Sequence, residues 1–88
     1  MAGTTTIFNV IEYPPAGDTC EVIYPEKHDY ILAYQIAIYL REVGKPQQAI
    51  DVLIASMCVN RGFELLTKDS DFENIRIVQP SFMLKLVQ

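Results

Sequence analysis

The chain has 88 residues, half of them apolar, with a mean hydropathy of +0.15 and a formal net charge of −4. This length fits one small domain with a modest core, and the high apolar fraction predicts that some apolar surface meets another chain. A pI of about 4.7 excludes a protein that binds nucleic-acid phosphates through a positively charged surface alone. An RNA substrate would therefore need bridging cations.

The sequence contains no uninterrupted apolar run near the roughly 20 residues that span a bilayer, and no basic N-terminal segment followed by an apolar stretch. Cys20 and Cys58 are far apart and lack the spacing of zinc ligands, so we expect reduced, partly buried thiols. We expect a soluble, cytoplasmic protein without membrane contact.

The first third of the chain is predicted to form a short helix, a turn and a short strand. Residues 4–13 place apolar side chains on one helical face, with threonines as caps, and Pro14 stops the helix. Residues 16–19 are predicted as a turn. Residues 20–24 alternate as a strand does, and Pro25 ends them.

Residues 26–43 predict a long helix, because they contain no glycine or proline and are followed by Gly44. Between residues 30 and 40 only Gln35 is plainly polar. This apolar surface is wider than a helix covering one core requires, so we expect burial on two sides. Tyr30, Tyr34 and Tyr39 are better assigned to a core or dimer interface than to a base-stacking platform.

The remainder alternates predicted helices and strands, which implies parallel pairing in an α/β layered fold. Pro46 fits the first turn of a second long helix and Gly62 its end. The later predictions are a buried strand at 63–67, a brief helix capped by Ser70 through 74, a strand at 75–78 and a helix at 81–87.

Asp51 is the most informative residue, because it interrupts an otherwise apolar helix. A carboxylate desolvated there must be paired, hydrated or metal-bound. Ala55 and Cys58 follow at helical spacing and leave room for a ligand. The alternative is a helix N-terminal charge that faces solvent.

Two further segments supply candidate carboxylates. Asp69 and Asp71 follow the strand that ends at Thr67, and ligands bind at the carboxyl ends of parallel strands. The alternative is that they cap the next helix. Glu12 lies beside the apolar face of the first helix. Together these carboxylates are hard oxygen ligands suited to Mg²⁺ or Mn²⁺, ions that activate water and neutralise phosphoryl charge.

The string AIDVLIASMCVNRGFELLTKDSDF, residues 49–72, resembles the closing motif of PIN domains. In that motif a helix bearing Asp runs through a glycine into an apolar strand, then Thr, an acidic residue and Asp-Phe. The upstream string TTTIFNVIEYPP resembles the family's short helix with one essential Glu, and REVGKP follows the long helix in the expected order. The resemblance covers nearly the whole chain.

The resemblance implies that Glu12, Asp51 and Asp69 are catalytic, metal-binding carboxylates, with Asp71 as a further metal ligand and Thr67 as a nearby hydroxyl. It implies metal-dependent hydrolysis of RNA phosphodiesters with Mg²⁺ or Mn²⁺, as in VapC-like toxins, with an antitoxin protein as a partner and a homo-oligomeric state.

The fold that the resemblance implies is a three-layer, PIN-like α/β fold with a mostly parallel sheet, in which residues 1–88 form one domain. PIN domains open with a strand that carries an Asp at its carboxyl end. The residues before Glu12 are predicted as helix, so the chain is expected to be N-terminally truncated, the C-terminal portion of the usual domain, and to lack one ligand.

Two alternatives remain open. The first is a catalytically inactive PIN-fold interaction module that oligomerises through its apolar helix, residues 30–40. The second is a small α/β fold whose acidic residues are helix caps and surface charges. His28 has no neighbouring serine or cysteine arrangement that would form a catalytic triad and is predicted to be a solvated side chain.

Overall fold

The computed structural model describes residues 3–87. Their helices and strands, in chain order, are β1 (Thr4–Thr6), α1 (Ile7–Glu12), α2 (Ala16–Thr19), β2 (Glu21–Ile23), α3 (Lys27–Glu42), α4 (Ala49–Arg61), β3 (Glu64–Thr67), α5 (Phe72–Val78) and β4 (Met83–Leu86). Within these residues no helix has both the length and the apolar character needed to cross a membrane.

The N-terminal segment forms a strand and a helix, where only a helix was predicted. β1 pairs in parallel with β2, because β-branched threonines favour extended backbone and find a partner there. Thr6 then caps α1, accepting a hydrogen bond from the Asn9 N–H at 3.3 Å. The prediction that no strand precedes Glu12 was wrong, although β1 carries no aspartate. The turn predicted at 16–19 is the short helix α2.

The two long helices confirm the sequence prediction. Glu26 and Asp29 form a capping box at the start of α3. Gly44 and Gly62, just beyond α3 and α4, adopt φ of 74° and 68°, a left-handed conformation that glycine adopts without strain. α4 begins at Ala49, so Pro46 lies in the preceding loop and not in the first turn.

The last two elements have the opposite secondary structure to that predicted: the predicted strand is helical and the predicted helix is a strand. Residues 75–78 belong to α5, because Phe72 and Ile75 lie on one helical face and are both buried in the core. Residues 83–86 form β4, which pairs in parallel with β3 from Glu64–Met83 to Thr67–Leu86. Tertiary pairing here outweighs local propensity.

The architecture is mixed α/β with parallel strand pairs, but the strands form two separate two-stranded sheets, β1-β2 and β3-β4. β3 was predicted to be buried and is not: 59% of the Leu66 surface is exposed. The side chains of β3 alternate between two faces: Leu65 packs against the core, whereas Glu64 and Leu66 lie on the exposed face.

The core lies where α3, α4 and α5 meet, closed by the side chain of Phe82. Ile36 and Leu40 are the α3 residues fully buried there. The opposite side of α3 is exposed, with 71% of the Tyr34 surface accessible. The two-sided burial predicted for this helix is therefore seen on one side only within residues 3–87.

Candidate metal centre

Asp51 lies in the first turn of α4 and is partly buried. Glu12 is the last residue of α1, and Asp69 lies in the turn that follows β3; both are exposed. The chain reverses at Gly62, so β3 runs back along α4 and its carboxyl end comes to the amino end of α4. This reversal brings Asp69 to Asp51.

The four predicted ligands interact electrostatically. Burial raises the pKa of the Asp51 carboxyl, and the nearby charges of Asp69, Asp71 and Glu12 raise it further. Among residues 3–87 no cation is close enough to reverse this shift. The structure therefore places Glu12, Asp69 and Asp71 near enough to Asp51 for their charges to raise its pKa.

The turn after β3 is organised by its own side chains. The Thr67 Oγ1 accepts a hydrogen bond from the Asp69 N–H at 3.1 Å, and Asp69 Oδ1 accepts one from the Asp71 N–H at 2.9 Å. Asp71 is the N-cap residue of α5 but makes no capping hydrogen bond through its side chain. Asp69 thus stabilises the turn before α5, and neither aspartate caps that helix in the way the alternative predicted.

Glu12, Asp51, Thr67 and Asp69 line a groove of about 750 Å³, which we call the inter-sheet groove; Asp71 does not line it. β1 and β3 line it together with Ile23 of β2, and α4 contributes Ile50, Asp51, Ile54 and Cys58. Glu12 of α1 lies near Asp51, as Asp69 does, and we call this part of the groove the acidic end. The volume lies within the range of ligand sites, roughly 300–1,000 Å³.

The donor set fits Mg²⁺ or Mn²⁺ better than a softer metal, because it offers carboxylate and hydroxyl oxygens. The oxygens of Glu12, Asp51 and Asp69 do not form a group within 4.8 Å of one another. Mg²⁺ usually keeps several waters and uses one or two carboxylates, so this looser arrangement fits a hydrated ion. Asp51 is the carboxylate that would hold it most directly.

Asp29 is a buried carboxylate that the sequence did not single out, and its environment is opposite to that of Asp51. Asp29 is fully buried, and Arg61 donates to its two oxygens, each at 3.0 Å. Asn60 donates to Oδ1 at 2.8 Å, and the Glu26 N–H donates to Oδ2 at 2.8 Å. Burial opposes ionisation of Asp29, but the hydrogen bonds from Arg61 and Asn60 outweigh it and hold the pKa at about 2.

The Asp29 pair ties the start of α3 to the end of α4. Its one sequence signal was the Glu26-x-x-Asp29 spacing of a capping box; the partner Arg61 is 32 residues away. Glu26, His28 and Asp29 also place candidate ligand atoms within 4.8 Å of one another. The Arg61 guanidinium already occupies this carboxylate, so a metal cation there would be repelled. His28 is exposed, as predicted.

Both cysteines are free thiols, as predicted, with Cys58 buried and Cys20 partly buried. Burial raises the pKa of Cys58 to about 11, so its thiol is protonated at neutral pH. It lines the inter-sheet groove as a small apolar group. Ala55, the other small residue predicted to leave room beside Asp51, is buried in the core and does not line the groove.

Comparison with models of known protein families gave no match, and comparison with curated protein sequences gave none.

Proposed function

We propose that the acidic end of the inter-sheet groove is a Mg²⁺- or Mn²⁺-binding centre that hydrolyses RNA phosphodiesters, in a three-layer fold of the PIN type. The observation that carries the proposal is that Glu12, Asp51 and Asp69 line one groove, where burial and the neighbouring carboxylates also raise the pKa of Asp51. A site that concentrates uncompensated negative charge favours a divalent cation.

Each residue has a distinct role in this proposal. Asp51 is the principal ligand because it is the most desolvated of the cluster. Glu12 and Asp69 hold and orient water at the ion, and Asp71 adds negative charge. A bound Mg²⁺ or Mn²⁺ would supply Lewis-acid chemistry, which activates water and neutralises charge on the phosphoryl group. It would also let an acidic chain approach RNA.

The biological setting is part of the same proposal. A metal-dependent ribonuclease of this kind would act as a VapC-like toxin held by an antitoxin protein, in the cytoplasm, as a homo-oligomer. The apolar residues exposed on α3, among them Tyr30, Ile31 and Tyr34, favour association with another chain.

The exposed face of α3 also supports a second function, an inactive interaction module of the same fold. A pocket of about 470 Å³ adjoins this face, lined by Phe8 and by apolar residues of α3 and α4. Such a module would associate with partners without cleaving RNA, and its association would not depend on Asp51.

The test is cleavage of single-stranded RNA in the presence of Mn²⁺ by the wild-type chain, Asp51→Asn and Asp18→Asn. Asp18 is an exposed carboxylate of α2 outside the groove and gives a matched control. We expect Mn²⁺-dependent cleavage, reduced roughly a hundredfold or more by Asp51→Asn and unchanged by Asp18→Asn. Mn²⁺ binding at Asp51 without cleavage would contradict the ribonuclease and favour the interaction module.

A further inference from the structure

The pocket beside α3 is a separate cavity from the inter-sheet groove, and among the residues described Ile50 alone lines both. Its α3 wall consists of four residues at helical spacing, which therefore lie on one face of the helix: Tyr30, Ala33, Tyr34 and Ala37. The volume of about 470 Å³ lies within the range of sites that hold whole small molecules, roughly 300–1,000 Å³. We call this cavity the aromatic pocket.

The aromatic pocket has a buried floor and an exposed mouth. Val52 and Leu53 of α4 line it and are buried, whereas Tyr30 and Tyr34 line it and are exposed. Ala37 carries no atom beyond Cβ, so the space beside the tyrosines stays open. The surface of another protein would rest on the exposed tyrosines, but a small molecule can reach the buried residues. The shape therefore favours a small ligand.

The lining also selects by charge. Charged residues make up 20% of the chain, yet within residues 3–87 none of them lines the aromatic pocket. An ionised ligand would lose water on entering and would gain no charged partner, which is costly. The inter-sheet groove is different, because Glu12, Asp51 and Asp69 line it. The aromatic pocket therefore favours uncharged ligands.

Aromatic rings form much of the lining, from Phe8 of α1 and from Tyr30 and Tyr34 of α3. Rings gain from offset or edge-to-face contacts in addition to the area that they bury, so a ligand with a ring is favoured. Gln47 contributes a carboxamide to the same lining, and its Nε2 donates to the Lys45 carbonyl at 3.3 Å. The amide and the tyrosine hydroxyls can bond a polar group of a ligand.

We propose that the aromatic pocket binds an uncharged aromatic small molecule that carries a hydroxyl or amide group. The ring packs among Phe8, Tyr30 and Tyr34, and the polar group bonds to Gln47 or to a tyrosine hydroxyl. This site is independent of RNA cleavage and of a metal ion at Asp51, because no carboxylate of residues 3–87 lines it. It also differs from the interaction module, in which another polypeptide covers α3.

The test is an NMR titration of the ¹⁵N-labelled chain with 1-naphthol, an uncharged aromatic alcohol, in the presence of EDTA. We expect saturable shifts at Tyr34 and Ala37, which line the aromatic pocket and not the groove, with a Kd of about 1 mM or tighter. 1-Naphthoate has the same rings with a carboxylate in place of the hydroxyl, and should bind at least about tenfold more weakly. EDTA separates this result from binding at the metal centre.

Two leucine substitutions on α3 provide a matched pair. Ala37→Leu places a larger side chain in the aromatic pocket, whereas Gln35→Leu adds a leucine at an exposed position of the same helix outside the pocket. Leucine has good helix propensity, so both variants should keep α3 helical, which circular dichroism checks. We expect Ala37→Leu to bind 1-naphthol at least about tenfold more weakly, and Gln35→Leu to stay within about twofold of wild type.

The wild-type titrations can overturn the proposal without any variant. Absence of saturable shifts at Tyr34 and Ala37 at about 5 mM 1-naphthol would do so, and so would equal binding of 1-naphthoate. Wild-type affinity in a folded Ala37→Leu variant would also contradict it. If the same resonances shift with chain concentration and sedimentation gives twice the monomer mass, a second copy covers the pocket and the proposal is wrong.

Discussion

Asp29 and Asp51 lie in the same small protein, in the first turns of α3 and α4, and their environments are opposite. Asp29 is fully buried and paired with Arg61, and its pKa is lowered to about 2. Asp51 is partly buried among three other carboxylates, and its pKa is raised. The charge of Asp29 is paired within the chain, whereas the charges that act on Asp51 are all of the same sign as its own.

The comparison separates a carboxylate that stabilises the fold from one that is available for function. Desolvation acts on both side chains in the same direction, so burial alone does not distinguish them. The neighbouring charges decide: a guanidinium beside Asp29, carboxylates beside Asp51. The charges of Glu12, Asp69 and Asp71 disfavour the ionised form of Asp51, and a cation bound beside it would reverse that effect.

The largest expected effect is a loss of unfolding free energy when Asp29 is replaced. Asp29→Ala leaves Arg61, 18% exposed, without its buried partner and should destabilise the protein by about 3–5 kcal/mol. Urea unfolding measures this, with Asp29→Asn as a matched variant that retains one acceptor oxygen. A loss below about 1 kcal/mol would mean that the ion pair contributes little.

The next effect is the dependence of stability on pH. The folded-state pKa of Asp29 lies below its ordinary value of 3.8. Its contribution is therefore present above about pH 4 and is lost as the pH falls through about 2, in total about 2 kcal/mol.

The contribution of Asp51 to the pH dependence of stability has the opposite sign, because its raised pKa favours the folded state as the pH falls. Unfolding free energies of wild type and Asp29→Asn between pH 2 and 5 should converge at the acid end. A constant difference across this range would contradict the low pKa assigned to Asp29.

A smaller effect is expected from removing the charge of Asp51. Without divalent cations, Asp51→Asn should raise the melting temperature, because it removes a desolvated charge that Glu12, Asp69 and Asp71 repel. Differential scanning calorimetry in EDTA measures the change, with Asp18→Asn as the surface control. A lower melting temperature for Asp51→Asn than for the control would show that its charge is compensated inside the chain.

The sequence predicted those parts of the fold that local signals determine. The carboxyl ends of α3 and α4 follow from Gly44 and Gly62, which have positive φ, whereas α4 begins at Ala49 and not at Pro46. α5 and β4 were assigned the wrong types, because the burial of Phe72 and Ile75 and the pairing of Met83 with Glu64 depend on distant parts of the chain.

The candidate site also has features that the sequence predicted and features that it did not. The Asp51 and Asp69 candidates came from one continuous string of sequence, and the reversal at Gly62 brings them together. The open groove between two sheets was not predicted in this form, because β1 was expected to be helix. The pairing of Asp29 with Arg61 was missed because no local pattern links residues 32 positions apart.

The most direct measurement is a calorimetric titration of Mn²⁺ into wild type, Asp51→Asn and Glu26→Gln. Glu26 belongs to the other group of candidate ligands, with His28 and Asp29, so it is the matched control. We predict that wild type and Glu26→Gln bind Mn²⁺ alike and that Asp51→Asn loses binding. Binding that survives Asp51→Asn and is lost in Glu26→Gln would contradict the metal centre at Asp51.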